Sequence, residues 1–542
     1  MEAEPLLAPR RVQSLLSRRV RCAALLAIVL WAAVLRVEGM VGPFGSGWQH
    51  LGAFYSLMAR NDLRYGVAET RLAQVVNAEP APRDQWVFYT HHPPGMSLTT
   101  AAVASLIGEG PLAIKLHGLL FSLLEVVLIY LLVAAALSPG AGLAAAFIAA
   151  VVPAGAYFAT HGSELGPQAI ALALLALLMD ERARKRAQES APARPRSLAT
   201  FAALCGSLFF AWPALGVAAF ISGRDLLARN FRRALLFGAL IPAALLVRLL
   251  HVRLATGHFD DGSGITLVAS ALGHSVVGAS TLLVQFDALQ VVRRVAGHLR
   301  FLFGDLGLAA AALGALLLAL AFVRRRRRDD PVGPRAWTTA AGLATFALLY
   351  SLPFPRAVVV HRYYLIVALP MVAFLGGFAV HATSHLAIGR LAALAAAAAI
   401  GVTGSARVLH DHRADRTPYY EELGTALRDH VPPGRRVSTT ERFSTCLVYY
   451  AQREIRGDLG DKDLEGFLAG GGAPALPSAG WFAVVEPSID PPHARDQELL
   501  LFLRRHWQPE EIALPKSGAT LLLFDLSRTA GPWTNPGVDP HH

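Results

Sequence analysis

Apolar runs long enough to cross a bilayer recur along this chain, and short arginine-rich segments separate them. A spanning helix needs about 20 mostly apolar residues to cross a hydrocarbon core of about 30 Å. The first such run is Val20 to Val37, with Arg21 and Arg36 placed to reach polar surroundings at its ends. Others follow at 112–136, 141–159, 165–179, 234–250, 301–323, 337–352, 363–380 and 389–405. Two shorter runs, 197–211 and 214–222, flank Trp212-Pro213 and predict an incomplete hairpin. The expectation is a mainly α, polytopic helical membrane protein with about eleven spans. The run 96–107 ends at Gly108-Glu109-Gly110-Pro111 and is too short to cross, so it predicts an interfacial helix.

Composition agrees with this reading. Charged residues are 16% of 542 and hydrophobic ones 54%, where soluble domains carry roughly 25% charged. The net charge of +11 would suggest nucleic acid in a soluble protein. Here the basic residues sit in short loops, the mark of positive-inside topology, and no nucleic-acid partner is expected. Cys22, Cys205 and Cys446 are far apart and predict no disulfide framework. The first 21 residues lack a small-residue cleavage site, so they read as a cytoplasmic segment leading a retained anchor.

Sidedness follows from charge. The basic segments Arg10–Arg21, Asp180–Arg196, Arg224–Arg233 and Arg324–Arg328 all fall on one side if 96–107 does not cross. The five consecutive arginines read as a topology signal and a contact for anionic membrane lipids. This places the N-terminus in the cytoplasm and the polar loops 38–110 and 251–298 outside, in a multi-pass protein of the plasma (inner) membrane. The spanning domain is expected over 22–405. Beyond it, span-length apolar runs cease, and 406–542 reads as a small extracytoplasmic α/β domain. Tyr420, Leu423, Leu427 and Val431 carry helical spacing, and Pro432-Pro433-Gly434 stops it. WFAVVEP and TLLLFDL have strand character.

The loop 38–110 is the stretch around which the rest is organised. It holds Trp48, His50, Asp62, Glu69, Asp84 and Trp86, and closes on YTHHPPGMSLTT. Pro93 and Pro94 stiffen an extended segment behind His91 and His92. Those two histidines suit contact with a phosphate or an acceptor, or a structural turn. A divalent cation held with a nearby carboxylate is a further use. Glu164 ends a span on the same expected side, where an ionisable group is a candidate for function or an interfacial carboxylate. Glu125 lies mid-span and needs a partner. Lys115, His361 and Arg362 are outer-side cations, and Arg suits bidentate phosphate binding.

These segments resemble a family. His91-His92-Pro93-Pro94-Gly95 is similar to the Pro-Pro segment of family 39-like membrane glycosyltransferases with the C-type fold, which include protein O-mannosyltransferases and lipid A aminoarabinose transferases. KLHGLLFSLLEVVLIY (Lys115–Tyr130), YFATHGSELGP (Tyr157–Pro167) and HRYYLIVALP (His361–Pro370) continue the resemblance in order over about 20–405. It implies transfer of a sugar from a polyprenyl-phosphate donor to a lipid, glycan or protein acceptor at the outer face. No cofactor is firmly implied, and no metal ligand is assigned. His91, His92, Lys115, Glu164, His361, Arg362 and Tyr363 would bind donor phosphate or substrate. The chemistry needs a base for the acceptor hydroxyl and cations for the departing phosphate. Relatives place an acidic residue shortly after the first span; here WQHLGAFY has none. The candidate bases are therefore Glu38, Asp62 and His50. Two rival classes stay open: a lipid or solute transporter or flippase, against which stands the missing inverted repeat, and a non-catalytic relative.

Overall fold

The computed structural model describes residues 18–45, 49–163, 165–189, 196–257, 288–325, 333–352, 358–359, 361–384, 386–441, 444–456, 480–486 and 494–526. Trp48, Glu164, most of the loop 251–298 and Arg326–Arg328 lie outside the described residues. The chain divides into two units. The first comprises 1–40, 65–74 and 88–413; the second comprises 41–64, 75–87 and 414–542. The expected outer loop 38–110 is thus shared between them.

The first unit is helical. Helix α1 (Arg18–Met40) precedes α2 (His50–Tyr65), which belongs almost wholly to the second unit. Then come α3 (Gly95–Ile107), α4 (Pro111–Ala136), α5 (Pro139–Val151) and α6 (Pro153–Ala156). Next are α7 (Pro167–Glu189), α8 (Arg196–Phe210), α9 (Ala214–Leu227) and α10 (Phe231–Thr256). The set closes with α11 (Ala288–Arg325), α12 (Pro334–Ser351), α13 (Leu369–Thr383) and α14 (Ala387–Ala414). Among the described residues, 6 helices are long and apolar enough to cross a membrane, or 7 if the bent pair Pro139–Val151 and Pro153–Thr160 is one span. The remaining segments behind the expected eleven, α7, α8, α9 and α12, are shorter or carry charged ends. Helix α3 has 13 residues, about 20 Å at 1.5 Å per residue, well short of a bilayer. Helix α14 continues to Ala414, past the expected boundary at 405.

The bent pair turns by 69° because Pro153 has no N–H to donate and forces Val152 into an extended conformation (φ −75, ψ 147). That break frees backbone carbonyls inside the bundle. Arg36 satisfies them: it donates to Gly155 O at 2.7 Å, Ala150 O at 3.0 Å and Ala149 O at 3.4 Å. Its Nε donates to Ser122 Oγ at 2.8 Å. Arg36 therefore does not reach polar surroundings at the end of its helix; it is wholly buried. It pins a broken helix.

A second ionic group ties α7, α9 and α10. Asp180 and Asp225 are buried. Arg224 meets Asp180 at 2.7 Å, Arg184 meets Asp225 at 2.7 Å, and Arg233 contacts both carboxylates. Residues read only as topology signals are here packed against one another.

The second unit carries a five-stranded sheet. Its strands are β1 (Val437–Thr439), β2 (Ile455–Arg456), β3 (Trp481–Glu486), β4 (Glu510–Leu514) and β5 (Ala519–Asp525), in the order β2-β1-β3-β5-β4. The first three are parallel, and β5 runs antiparallel to both neighbours. Phe482, Val484, Leu499, Leu503, Leu522 and Phe524 form a core between the sheet and helix α17 (Ala494–His506), reached after α15 (Tyr419–His430) and α16 (Ser444–Ala451). Helix α2 packs into this unit: Arg60 donates to Tyr449 O at 3.0 Å and stacks 4.4 Å from the Tyr449 ring centroid.

Candidate functional site

The HHPP segment lies in the first unit, where its backbone is held from two sides. Arg248, near the end of α10, donates through Nη2 to Thr90 O at 2.7 Å. His251 Nε2 donates to Arg71 O at 2.8 Å, which leaves Nδ1 to accept from Arg248 Nη1 at 3.1 Å. Arg71 returns a bond to Leu254 O at 2.6 Å. On the other side, Trp212, in the break between α8 and α9, donates from its indole to His91 O at 3.3 Å. The Trp-Pro interruption read as a hairpin thus supplies a donor to the loop.

Past the prolines, α3 starts at Gly95, where any side chain would strike the Phe209 carbonyl. Only glycine lets the two backbones approach so closely. Tyr89 stacks on both histidines, with centroids 5.2 Å from His91 and 6.2 Å from His92. His91 is exposed and His92 buried. Burial first, then the charges of His91 and Arg248, pull the His92 imidazole down to a pKa of about 3. His92 is therefore neutral near pH 7, a hydrogen-bonding group rather than a cation. The positive charge beside it belongs to Arg248, which the sequence reading missed. Nothing local marks Arg248; the loop carbonyl it holds, Thr90 O, lies 158 positions away.

The other candidates distribute as follows. Lys115 is wholly buried in the first turns of α4. Nearby, Gln168 Nε2 donates to His117 Nδ1 at 2.7 Å, and His117 Nε2 donates to Thr100 Oγ1 at 2.9 Å, fastening α3, α4 and α7 together. His361 precedes a tight 3₁₀ turn, Arg362–Ala368, that leads into α13. Tyr363 is buried, with its ring 5.2 Å from His361. Arg362 lies over Phe301 at 4.1 Å, and Arg407 lies over the same ring at 4.7 Å. Glu38 is half-buried at the end of α1 and meets Arg413 at 3.2 Å. His50 and Asp62 belong to the second unit, on α2, where Asp62 is buried. Among the described residues no three His, Cys, Asp or Glu side chains stand close enough to hold a metal ion.

Residues 91–247, from the HHPP segment through most of α10, match the family model described as dolichyl-phosphate-mannose-protein mannosyltransferase. The structure is similar to that of ArnT from Cupriavidus metallidurans bound to undecaprenyl phosphate (TM-score 0.56, 12% identity), covering 95% of this chain and 100% of that one. It is also similar to the Archaeoglobus fulgidus oligosaccharyltransferase in complex with Zn and sulfate (TM-score 0.56, 14% identity), covering 91% of this chain and 72% of that one. The chain has the C-type glycosyltransferase fold. No curated protein matches its sequence significantly. Within this fold, the family match begins at His91, the first residue of the clamped segment.

Proposed function

We propose that this membrane protein transfers a sugar from a polyprenyl-phosphate donor to an acceptor hydroxyl, with the HHPP segment and Arg248 forming the cradle for the donor phosphate. One observation carries the reading: the segment at which the family match begins is held by a guanidinium that also stands beside His92. In the reaction, the acceptor oxygen attacks the anomeric carbon and the bond from that carbon to the phosphate oxygen breaks. The polyprenyl phosphate then departs, still anchored in the bilayer. Arg248 stabilises the charge that grows on the leaving phosphate. Neutral His92 and exposed His91 orient it by hydrogen bonds.

For the base that takes the hydroxyl proton we favour Glu38. It is half-buried in the unit that holds the cradle, and Arg413 orients its carboxylate. Asp62 is sealed within the other unit. Arg362, stacked on Phe301 beside Arg407, takes no part in the donor cradle on this reading. The positive-inside pattern supports a donor side facing away from the cytoplasm, with the N-terminus cytoplasmic and the membrane the plasma (inner) membrane. ArnT was solved with undecaprenyl phosphate, which supports a donor of that class.

The deciding experiment reconstitutes the purified protein with short-chain polyprenyl-phosphate sugars and follows release of polyprenyl phosphate. Release that depends on Arg248 and Glu38 supports the assignment. Transport of the intact donor across the vesicle wall without cleavage would favour the flippase reading instead.

A further inference from the structure

Two broken helices and one smooth face enclose a cavity of about 250 Å³ in the first unit. Its walls are Val152 and Pro153 at the bent pair, Phe303 and Leu306 on α11, and Ile400 and Gly404 on α14. Gly304 breaks α11 here with a positive φ of 68° that favours glycine. Small residues on α14 leave the space unfilled. The polar atoms on its lining come from Thr403, Arg407 and Asp305.

Three observations indicate what fits. The cavity lies between helices whose flanks expose large apolar side chains, Leu313, Leu316 and Leu320 on α11 and Leu391, Leu394 and Val402 on α14. Both helices are long and apolar enough to cross a membrane, which suits those flanks to lipid. The volume is below the roughly 300–1,000 Å³ of a pocket that engulfs a small molecule but far above the ~30 Å³ of one water. It suits a length of hydrocarbon chain rather than a whole ligand. Its polar rim is also cationic. Arg407 and Arg362 share the Phe301 ring, and Arg300 stands nearby, against Asp411, 3.7 Å from Arg407, and Asp305, 2.8 Å from Arg300. Three arginines against two aspartates leave a positive balance. Asp411 is a single carboxylate beside the two guanidiniums on one ring, which leaves attraction for a second anion.

We propose that the cavity seats one chain of an anionic bilayer phospholipid, with its phosphate on Arg407. The occupant is a resident lipid wedged between α11 and α14. It bridges two spans where each helix is broken or lined with small residues. The site is separate in composition from the HHPP cradle and does not depend on the proposed reaction.

The test uses the full chain, delipidated in detergent and titrated with phosphatidylglycerol, phosphatidylcholine or decaprenyl phosphate. Bound lipid is counted by native mass spectrometry, and Tm is read from intrinsic fluorescence. Phosphatidylglycerol should bind as a single molecule and raise Tm, and phosphatidylcholine should do neither at the same concentration. Arg407→Gln should weaken phosphatidylglycerol about tenfold or more, as loss of a charge-assisted contact does, and Arg407→Lys should retain most of it. Thr403→Trp, on the exposed face of α14, should fill the space and exclude the lipid without lowering the lipid-free Tm. Arg248→Ala should leave phosphatidylglycerol binding unchanged. Phosphatidylglycerol binding unaltered in both Thr403→Trp and Arg407→Gln would overturn the proposal, as would equal binding of phosphatidylcholine. Preferential binding of decaprenyl phosphate that Arg407→Gln abolishes and Arg248→Ala leaves intact would assign the cavity to the donor lipid and overturn it too.

Discussion

Arg248 donates a 2.7 Å hydrogen bond to the carbonyl of Thr90, a residue 158 positions earlier in the chain. The contact joins the end of a long apolar helix to the loop that leads into the two histidines. A cation and the turn before the histidines are thereby held in fixed register. Arg248→Ala should lower kcat/KM for sugar transfer by about 10²-fold or more, the scale for losing a preorganised charge in a site of this kind. Arg248→Lys should recover only part, because one ammonium cannot serve Thr90 and His251 together in the planar geometry of a guanidinium. Steady-state release of polyprenyl phosphate checks both. Equal rates in wild type and Arg248→Ala would remove Arg248 from the mechanism.

His92 makes the protein sensitive to acid. Its folded-state pKa of about 3 lies below the ordinary value near 6.5, so the folded protein keeps the ring neutral where the unfolded chain would protonate it. Any contribution of His92 to stability is intact above about pH 6.5 and is lost as pH falls toward 3, with a slope approaching about 1.4 kcal/mol per pH unit. His92→Asn should flatten the decline of Tm between about pH 6.5 and 4.5. An identical decline in the variant would place the titrating group elsewhere.

Much of the fold can be read from local pattern, and the site cannot. The helix expected from Tyr420, Leu423, Leu427 and Val431 is present as Tyr419–His430, with Tyr420, Leu423 and Leu427 buried and Pro432 beyond its end. WFAVVE and the run before Leu526 are strands, because alternating and apolar residues within six or seven positions suffice to specify them. The HHPP segment could be singled out because two prolines and two histidines are rare company. The residues that hold it, Arg248, His251 and Trp212, carry no local signal; each acts across more than a hundred positions. Arg36 misled for a related reason. An arginine near a helix end looks like an interfacial anchor until the broken helix opposite shows the carbonyls it must satisfy. Asp62, a candidate base in a polar loop by sequence, is buried where α2 packs within the second unit.

Removing Arg36 should cost stability rather than chemistry alone. Arg36→Met fits the volume but abandons the carbonyls of Ala149, Ala150 and Gly155, with Glu125 buried nearby. A loss of about 3 kcal/mol or more is expected from leaving several buried carbonyls without a donor. Adding Glu125→Gln should recover part of it by removing the stranded carboxylate. Thermal unfolding in detergent of the single and double variants checks the coupling, and additive losses would show that Glu125 and Arg36 do not act on each other.

The ionic group at α7, α9 and α10 should respond in the same asymmetric way. Asp225 is 2% exposed in its side chain and meets Arg184 at 2.7 Å and Arg233 at 3.2 Å. Asp225→Asn keeps the shape but leaves three arginines facing the single carboxylate of Asp180, so a loss of about 3 kcal/mol or more is expected. Arg184, about a third exposed, can turn to water, and Arg184→Ala should cost about 1 kcal/mol or less. Arg233 contacts both aspartates, so Arg233→Ala should approach the Asp225→Asn loss. The order Asp225→Asn, then Arg233→Ala, then Arg184→Ala in falling damage, measured by Tm of the detergent-solubilised chain, is what the geometry requires. Should Arg184→Ala prove the most damaging, the network would be centred on its exposed edge and not on the two buried carboxylates.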